Sequence, residues 1–315
     1  MKKSSKKAAL AVAAMLVGSV FCTPVFAGTV NGTGAIVKHG SYNNTVNNNI
    51  GAIIQPGTNS GMSNSYNVIG IGANLTNGVY GNNVYQNLGT FVGAYSSPTA
   101  TGTGALIQNG AYNNTVYGNT GTQLMGGHHI TATGTGAIVD HGSYSNTVYN
   151  NLGANVLGGG TGFGSNDTVS VKVFGTGALI DRGSYSNTVR DNIGAVEDAT
   201  TAAWVPYSQG PVAPKVFDSV TGTGAIVSNG SYGNNVYSNI GAIMKTKDGH
   251  AVIDVTGAIV DHGSYSNTVY QNLGAIVTSA NWATVTGAGA IVDFGSYQNN
   301  VHDNTGNQVG TVAQN

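Results

Sequence analysis

One short pattern recurs eight times along the 315-residue chain and constrains its fold more than any other feature. The fourth copy runs from Gly136 to Gly153 and has the sequence GAIVDHGSYSNTVYNNLG. All copies keep Gly-Ala, then Gly-x-Tyr-x-Asn-x-Val, then Asn-x-Gly. They begin at Gly34, Gly72, Gly104, Gly136, Gly177, Gly224, Gly257 and Gly289. A period of tens of residues is typical of stacked repeats. The pattern therefore predicts an all-β fold, a β-solenoid of eight stacked Gly/Asn-rich strand–turn–strand repeats.

The spacing within a copy predicts its strands. Tyr-x-Asn-x-Val alternates with period two, which places the three side chains on one face of a strand, with Ser145, Thr147 and Tyr149 facing outward. The second asparagine lies three positions after the valine, which breaks the period-two alternation and predicts a bulge or corner there, followed by a short strand through Asn-x-Gly. The Gly-Ala-Ile-Val segment is predicted to form another strand, and Gly142 allows the tight turn after it.

If each copy is one rung, identical residues stack at roughly 4.8 Å. Such ladders can pass amide hydrogen bonds between asparagines and form continuous aromatic and aliphatic strips. The tyrosine ladder is predicted to comprise Tyr42, Tyr80, Tyr112, Tyr144, Tyr185, Tyr232, Tyr265 and Tyr297. The first asparagine ladder comprises Asn44, Asn82, Asn114, Asn146, Asn187, Asn234, Asn267 and Asn299. The valine ladder comprises Val46, Val84, Val116, Val148, Val189, Val236, Val269 and Val301. The second asparagine ladder comprises Asn49, Asn87, Asn119, Asn151, Asn192, Asn239, Asn272 and Asn304.

Segments of variable length, such as Gln55 to Gly70 and Glu197 to Ser219, separate the copies and are expected to form loops on one side of the stack. A single copy is too short to bury enough surface alone. Residues 28–315 are therefore predicted to form one repeat domain.

The first 27 residues are predicted to be a secretory signal peptide, which implies a secreted or cell-surface protein. Four lysines precede an apolar stretch, and Val25-Phe26-Ala27 resembles a cleavage site. The apolar stretch is shorter than the ~20 residues that a membrane-spanning helix needs. Cys22, the single cysteine, is expected to leave with the signal. No later segment is long and apolar enough to predict a transmembrane segment in the mature chain.

The mature chain carries few charges, since Asp, Glu, Lys and Arg make up 7% of the sequence. Seven basic and 12 acidic residues follow Ala27, for a net charge of −5. This balance argues against nucleic acid as a partner and against a basic patch for anionic membranes.

No motif for catalysis, a cofactor or a metal is predicted. Asp140-His141 and Asp261-His262 occupy one turn position, but Ser228-Asn229 replaces them in another copy, which favours a solvated turn over a metal ladder. Gly102-Thr103-Gly104 and its equivalents lack the Gly-Lys-Ser/Thr of a phosphate loop. Acidic residues are scattered singly, which argues against a paired-carboxylate glycosidase.

The segment Gly263 to Gly274, GSYSNTVYQNLG, resembles the Gln-x-Gly-x-x-Asn-x-Ala-x-x-x-Gln repeat of curli, the secreted functional amyloids of bacterial biofilms. Its spacings differ, and it carries Asn where curli repeats carry Gln. Gly/Asn motifs with variable linkers are also similar to the organisation of Fap-type amyloids. The resemblance implies strand–turn–strand rungs and an extracellular fibre subunit that associates with itself. A secretion pore and a nucleator are candidate further partners.

Two main functional interpretations follow. The first is a secreted structural protein that forms β-rich, amyloid-like fibres of a biofilm matrix. The second is a monomeric β-solenoid adhesin or glycan-binding surface protein, which would expose outward aromatics such as Tyr149 and the long connectors. Pairs such as Thr131 and Thr133 are also typical of ice-binding solenoids, although not every copy has them.

Overall fold

The protein is a β-solenoid of eight coils, one for each copy of the repeat. The structure is a computed structural model that describes residues 27–54, 65–93, 97–125, 129–157, 168–198, 215–246, 250–279, 282–293 and 295–311. All regular elements in these ranges are strands, as predicted. The predicted signal peptide lies outside the described residues except for Ala27, which begins the first strand.

Each coil contributes one strand to each of three parallel, eight-stranded sheets. Sheet 1 contains the long strands β1 (Ala27–Lys38), β4 (Ser65–Thr76), β7 (Ser97–Gln108), β10 (His129–Val139), β13 (Thr168–Ile180), β16 (Lys215–Val227), β19 (His250–Val260) and β22 (Trp282–Val292). Sheet 2 contains β2 (Thr45–Asn47), β5 (Asn83–Tyr85), β8 (Thr115–Tyr117), β11 (Thr147–Tyr149), β14 (Thr188–Arg190), β17 (Asn235–Tyr237), β20 (Thr268–Tyr270) and β23 (Asn300–His302). Sheet 3 contains β3 (Ile50–Ile54), β6 (Leu88–Gly93), β9 (Thr120–Met125), β12 (Leu152–Leu157), β15 (Ile193–Asp198), β18 (Ile240–Thr246), β21 (Leu273–Ser279) and β24 (Thr305–Thr311).

Equivalent residues of successive coils lie in register. In sheet 2, Val148 pairs with Val116 on one side and with Val189 on the other. In sheet 1, Ala137 likewise pairs with Ala105 and Ala178. The variable spacing between copies therefore does not disturb the pairing, because the extra residues lie between sheet 3 of one coil and sheet 1 of the next.

The strands of sheet 1 begin several residues before the repeated motif, which corrects the predicted connectors. The segment from Gln55 to Gly70 was predicted to be a loop, but Ser65–Thr76 forms one continuous strand. Similarly, β16 already begins at Lys215, inside the other predicted connector. These leading residues differ in sequence from copy to copy, but their alternating apolar residues fit the same sheet.

Three corners per coil use backbone in the left-handed region. In the fourth coil these corners lie at His141-Gly142, Ser145 and Asn150, with φ values of 52°, 70°, 53° and 53°. Equivalent positions in the other coils hold mostly Gly, Asn, Ser, Asp or Gln. Glycine and asparagine adopt this region at little cost, so these short polar residues let each coil close.

The interior consists of two apolar columns that run along the stack. The sheet 2 column packs the second half of sheet 1, for example Ala137 and Val139, against the valines of sheet 2. The sheet 3 column packs the first half of sheet 1 against residues such as Ala154 and Val156. Side chains with less than 2% exposure dominate both columns, as expected for a close-packed core.

Glycines separate the two columns where sheets 1 and 3 approach most closely. A Cβ atom on Gly153 would lie against the carbonyl oxygen of Gly194 and only 2.5 Å from the backbone nitrogen of Thr176. A Cβ atom on Gly136 would lie 2.6 Å from the oxygen of Gly177. Since real side chains do not tolerate such distances, the glycines of Gly-x-Gly and of Asn-x-Gly allow the backbones to meet. This close packing of the backbones explains why Gly-x-Gly recurs, for which the sequence alone offered no reason.

Candidate functional site: side-chain ladders and the two end coils

The first asparagine set forms a buried hydrogen-bonded ladder between sheets 1 and 2. The backbone N–H and the Nδ2 of Asn114 both donate to Oδ1 of Asn146, each at 3.0 Å. The same Nδ2 also donates to the carbonyl oxygen of Val79 at 3.3 Å. Asn114 is 1% exposed, so these bonds supply the partners that a buried amide needs.

The second asparagine set repeats this arrangement at the corner between sheets 2 and 3. Asn119 donates from its backbone N–H and its Nδ2 to Oδ1 of Asn151, at 3.1 and 2.9 Å. Its Nδ2 also reaches the carbonyl oxygen of Val84 at 3.2 Å. The two ladders thus bind each coil to the next through neutral groups. Leaving one such buried group without a partner would cost about 1–3 kcal/mol.

The valine set lies between the two asparagine ladders and forms the wall of the sheet 2 column. Val148 is fully buried, as are its equivalents from the second to the seventh coil. Val46 in the first coil is 6% exposed, whereas Val301 in the last coil is 40% exposed. The repeated residue is thus the same in every coil, and it is exposed only in the last coil.

The tyrosine set lies on the outer surface, which shows that the prediction of one inward face for Tyr-x-Asn-x-Val is wrong. In the fourth coil, Ser143 is fully buried and Tyr144 is partly exposed. The left-handed conformation of Ser145 turns the chain between Tyr144 and Asn146, so the two side chains do not share a strand face. The polar residues at the Ser145 position were the sequence signal for this corner.

The outward tyrosines stack on one another along the whole rod. The ring centroid of Tyr144 lies 5.0 Å from that of Tyr112 and 5.0 Å from that of Tyr185, with nearly parallel planes. A second, interrupted stack runs along sheet 2, where Tyr117 lies 5.1 Å from Tyr149 and the Arg190 guanidinium lies 4.5 Å above the Tyr149 ring. Because each ring covers its neighbours, the surface presents ring edges and hydroxyl groups.

The pKa of Tyr144 lies above its ordinary value. Burial raises the pKa of its phenol, and the neighbouring Tyr112 and Tyr185 raise it further. The ionisation of Tyr144 can be followed at 295 nm as the difference in absorbance between the unmodified chain and the Tyr144→Phe variant. In the folded protein we expect this difference to rise at a pH above about 10, the ordinary pKa of tyrosine. In denaturant the same difference should rise near pH 10.

The raised pKa of Tyr144 makes the stability of the folded protein depend on pH. The folded protein holds the Tyr144 proton to a higher pH than the unfolded chain. Its contribution to stability is therefore complete below the unfolded pKa and is lost as the pH rises through the folded pKa. Identical titrations in the folded and denatured states would contradict the proposed effect of burial and of the neighbouring tyrosines on this pKa.

The aspartates at the first turn accept hydrogen bonds from the turn and from the adjacent coil. Asp140 accepts a hydrogen bond from the backbone N–H of His141 at 2.7 Å. In the next coil, Asp181 accepts from the backbone N–H of Arg182 at 2.8 Å and from the Ser228 hydroxyl at 3.0 Å. Among the described residues, no group of three or more His, Cys, Asp or Glu side chains is arranged to hold a metal ion.

Sheet 1 has one long column of outward threonines, in which Thr103, Thr135, Thr176, Thr223 and Thr256 lie in register, and a much shorter column at the Thr133 position. Thr133 lies in register with Thr101, so two successive coils present threonine at this position. The column continues with Ile69 on one side and with Phe174 on the other, which is 39% exposed. Large apolar side chains thus interrupt the second of the two threonine columns that a regular ice-binding face would need.

The two end coils expose groups that are covered in the middle of the rod. Tyr42 and Tyr297, at the ends of the tyrosine stack, are 57% and 52% exposed. Val292 in the last coil is 41% exposed, whereas its equivalent Val260 is fully buried. Within the described ranges, no further strand pairs with the outer edges of the first and last strands of each sheet. The candidate functional site is therefore the pair of end surfaces.

The part of the chain that the structure describes holds no helix long and apolar enough to cross a membrane. No protein-family model, curated protein or solved structure matches the chain.

Proposed function

We propose that this protein is a secreted structural subunit that associates with itself into β-rich, amyloid-like fibres of an extracellular biofilm matrix. The exposure of Val301 carries the proposal, because this residue is equivalent to the fully buried valines of the inner coils. An open strand edge with an apolar face is a template for another chain. Stacking a second molecule on the end of the rod would bury that face as the inner coils bury theirs.

The composition of the chain supports polymerisation of this kind. Stacked coils place identical side chains close together, as the 5.0 Å separation of successive tyrosine rings illustrates. Charged residues at repeated positions would repel along a fibre, whereas neutral asparagines form hydrogen bonds. The predicted signal peptide of residues 1–27 supports export, and a secretion pore and a nucleator are proposed as partners in that process.

A second candidate function is a monomeric adhesin or glycan-binding surface protein. Asn307 favours it, because this polar residue of the last coil lies in register with the buried Ala275 and its Oδ1 has no hydrogen-bond partner in the described structure. A polar residue at the end of an apolar column is a device that proteins use to discourage further stacking. In that case the tyrosine hydroxyls along the outer surface would face the ligand.

Polymerisation of the purified, exported chain distinguishes the two functions. The fibre proposal predicts a β-type circular dichroism spectrum, a thioflavin signal after a concentration-dependent lag, and filaments in negative-stain micrographs. A chain that sediments as a monomer for days at tens of micromolar would reject the fibre proposal in favour of the adhesin.

A further inference from the structure

The hydrogen bonds of the two asparagine ladders have a direction, and this direction is the same at every step. Each asparagine donates from its backbone N–H and its Nδ2 to Oδ1 of the asparagine in the following coil, from Asn44 to Asn299. The second ladder runs in the same direction from Asn49 to Asn304. Because a backbone N–H can only donate, the atom it meets must be the amide oxygen, which fixes the orientation of each amide.

This polarity gives the two ends different and complementary chemistry. In the described structure, no donor reaches Oδ1 of Asn44 or Asn49, so the first coil (27–54) presents two amide acceptors. The last coil (282–311) presents the opposite set, since among the described residues no asparagine follows to accept from the backbone N–H groups of Asn299 and Asn304. A donor end and an acceptor end can therefore meet without leaving either group unpaired.

The main chain of the two ends is also complementary, with the acceptor on the last coil and the donor on the first. Within the rod, the N–H of Asn83 donates to the carbonyl oxygen of Asn44 in the preceding coil, at 3.0 Å. The equivalent bond of the last coil runs from Asn300 N–H to Asn267 at 2.9 Å, which leaves the carbonyl oxygen of Asn299 without a donor among the described residues. The first coil supplies the matching donor, the N–H of Thr45.

We propose that the fibre grows in one direction only, by placing the first coil of one molecule on the last coil of another in the same register as the internal coils. The proposal rests on the proposed function and adds its geometry. Asn299 and Asn304 then donate to Asn44 and Asn49, and Val301 is covered by Val46. The open faces of the Tyr297 and Tyr42 rings stack.

Contacts between like ends do not complete these interactions. In the ladders, two first coils would place amide oxygens against amide oxygens, and two last coils would place the backbone N–H donors of Asn299 and Asn304 against each other. Either contact would also join the parallel strands in antiparallel fashion, which loses the register of the ladders. The ladders thus specify a directional filament, in which the molecule added at each step is another copy of this chain.

Variants that block one end test the direction of growth. In Val301→Asp the new carboxylate is solvated at a free last coil but buried in the joint. In Thr45→Pro the first coil loses the N–H that would face the joint, and proline is tolerated at such an outer edge. Each variant alone should remain monomeric, with elongation at least a hundredfold slower than that of the unmodified chain. An equimolar mixture should yield dimers, because each variant keeps the end that the other lacks.

Matched variants control for effects on folding. Asn300→Asp places the same charge in the same strand on an exposed side chain, and Thr45→Val keeps the N–H, so both should polymerise at the unmodified rate. Asn299→Asp is a second block of the last coil, because it removes the Nδ2 donor and keeps the oxygen that accepts from Asn267. Circular dichroism checks that every variant folds.

The outcomes separate the direction of growth from fibre formation itself. Dimers of either blocked variant alone would show contacts between like ends and overturn the proposal. Fibres from both blocked variants at the unmodified rate would place the joint elsewhere and leave the fibre function standing. A mixture of folded, blocked variants that forms no dimer would also overturn it. An unmodified chain that stays monomeric would reject both the fibre function and its direction.

Discussion

Replacing Val148 with Asp is expected to unfold the middle of the rod. Val148 is fully buried in the sheet 2 column and pairs with Val116 and Val189, so the new carboxylate would have no water and no cation around it. An unpaired buried charge costs several kcal/mol even after the structure relaxes. The variant should lose resistance to proteases in the central coils, and its assembly into fibres should slow strongly.

The neighbouring substitution Thr147→Asp is the matched control. Thr147 belongs to the same strand, but its side chain is partly exposed and faces outward. Its replacement should change the free energy of unfolding by about 0.5 kcal/mol or less. Equal protease resistance of the two variants would disprove the inward assignment of Val148. A reversed order would mean that sheet 2 has the opposite face inside.

Replacing Gly153 with Ala is expected to destabilise the solenoid by about 3 kcal/mol or more, at the upper end of overpacking effects. The added methyl group would meet three backbone atoms of Thr176 and Gly194. Backbone atoms cannot move aside by changing rotamer, so sheets 1 and 3 would have to separate. Denaturant unfolding of the unmodified chain and of Gly153→Ala measures the difference in free energy of unfolding, and a lower midpoint is expected for the variant.

Gly142→Ala controls for the general effect of replacing a glycine in the same coil. Gly142 has a φ of 70°, but a methyl group there would meet nothing within 4 Å. The cost is then only that of a left-handed residue, roughly 1–2 kcal/mol. Similar unfolding midpoints for the two variants would argue that the close approach at Gly153 does not limit stability.

Gly134 is a less informative site for this test, although a methyl group there would also meet the Gly153 oxygen. The seventh coil holds Val255 at the equivalent position, where it pairs with Gly222 and lies 3% exposed in the sheet 3 column. One coil therefore already accommodates a large side chain at this position. Gly153 and its equivalents are glycine in all eight coils.

The corners of the coil explain why the tyrosines lie on the side opposite to the one that their spacing predicts. Period-two spacing predicts a common face only where the backbone is extended throughout. The strand of sheet 2 contains just three residues in each coil, and Tyr144 lies before it, beyond the left-handed Ser145. Asn, Ser, Gly and Gln at that position are compatible both with an outward strand residue and with a corner, so spacing alone could not decide between them.

The sequence by itself determined the number of coils, the all-β class and the stacking of equivalent residues. A repeat of mostly neutral residues is most stable when identical groups pair, which fixes the register even where residues 199–214 lengthen the connection between β15 and β16. Only the tertiary structure decided which side chains face inward, how far sheet 1 extends and why the glycines recur. These features depend on three corners and on the contact between sheets 1 and 3, which join residues such as Gly153 and Thr176 that are distant in the chain. The direction of the amide ladders also appears only when successive coils are stacked, because an amide has no direction until its partner is in place.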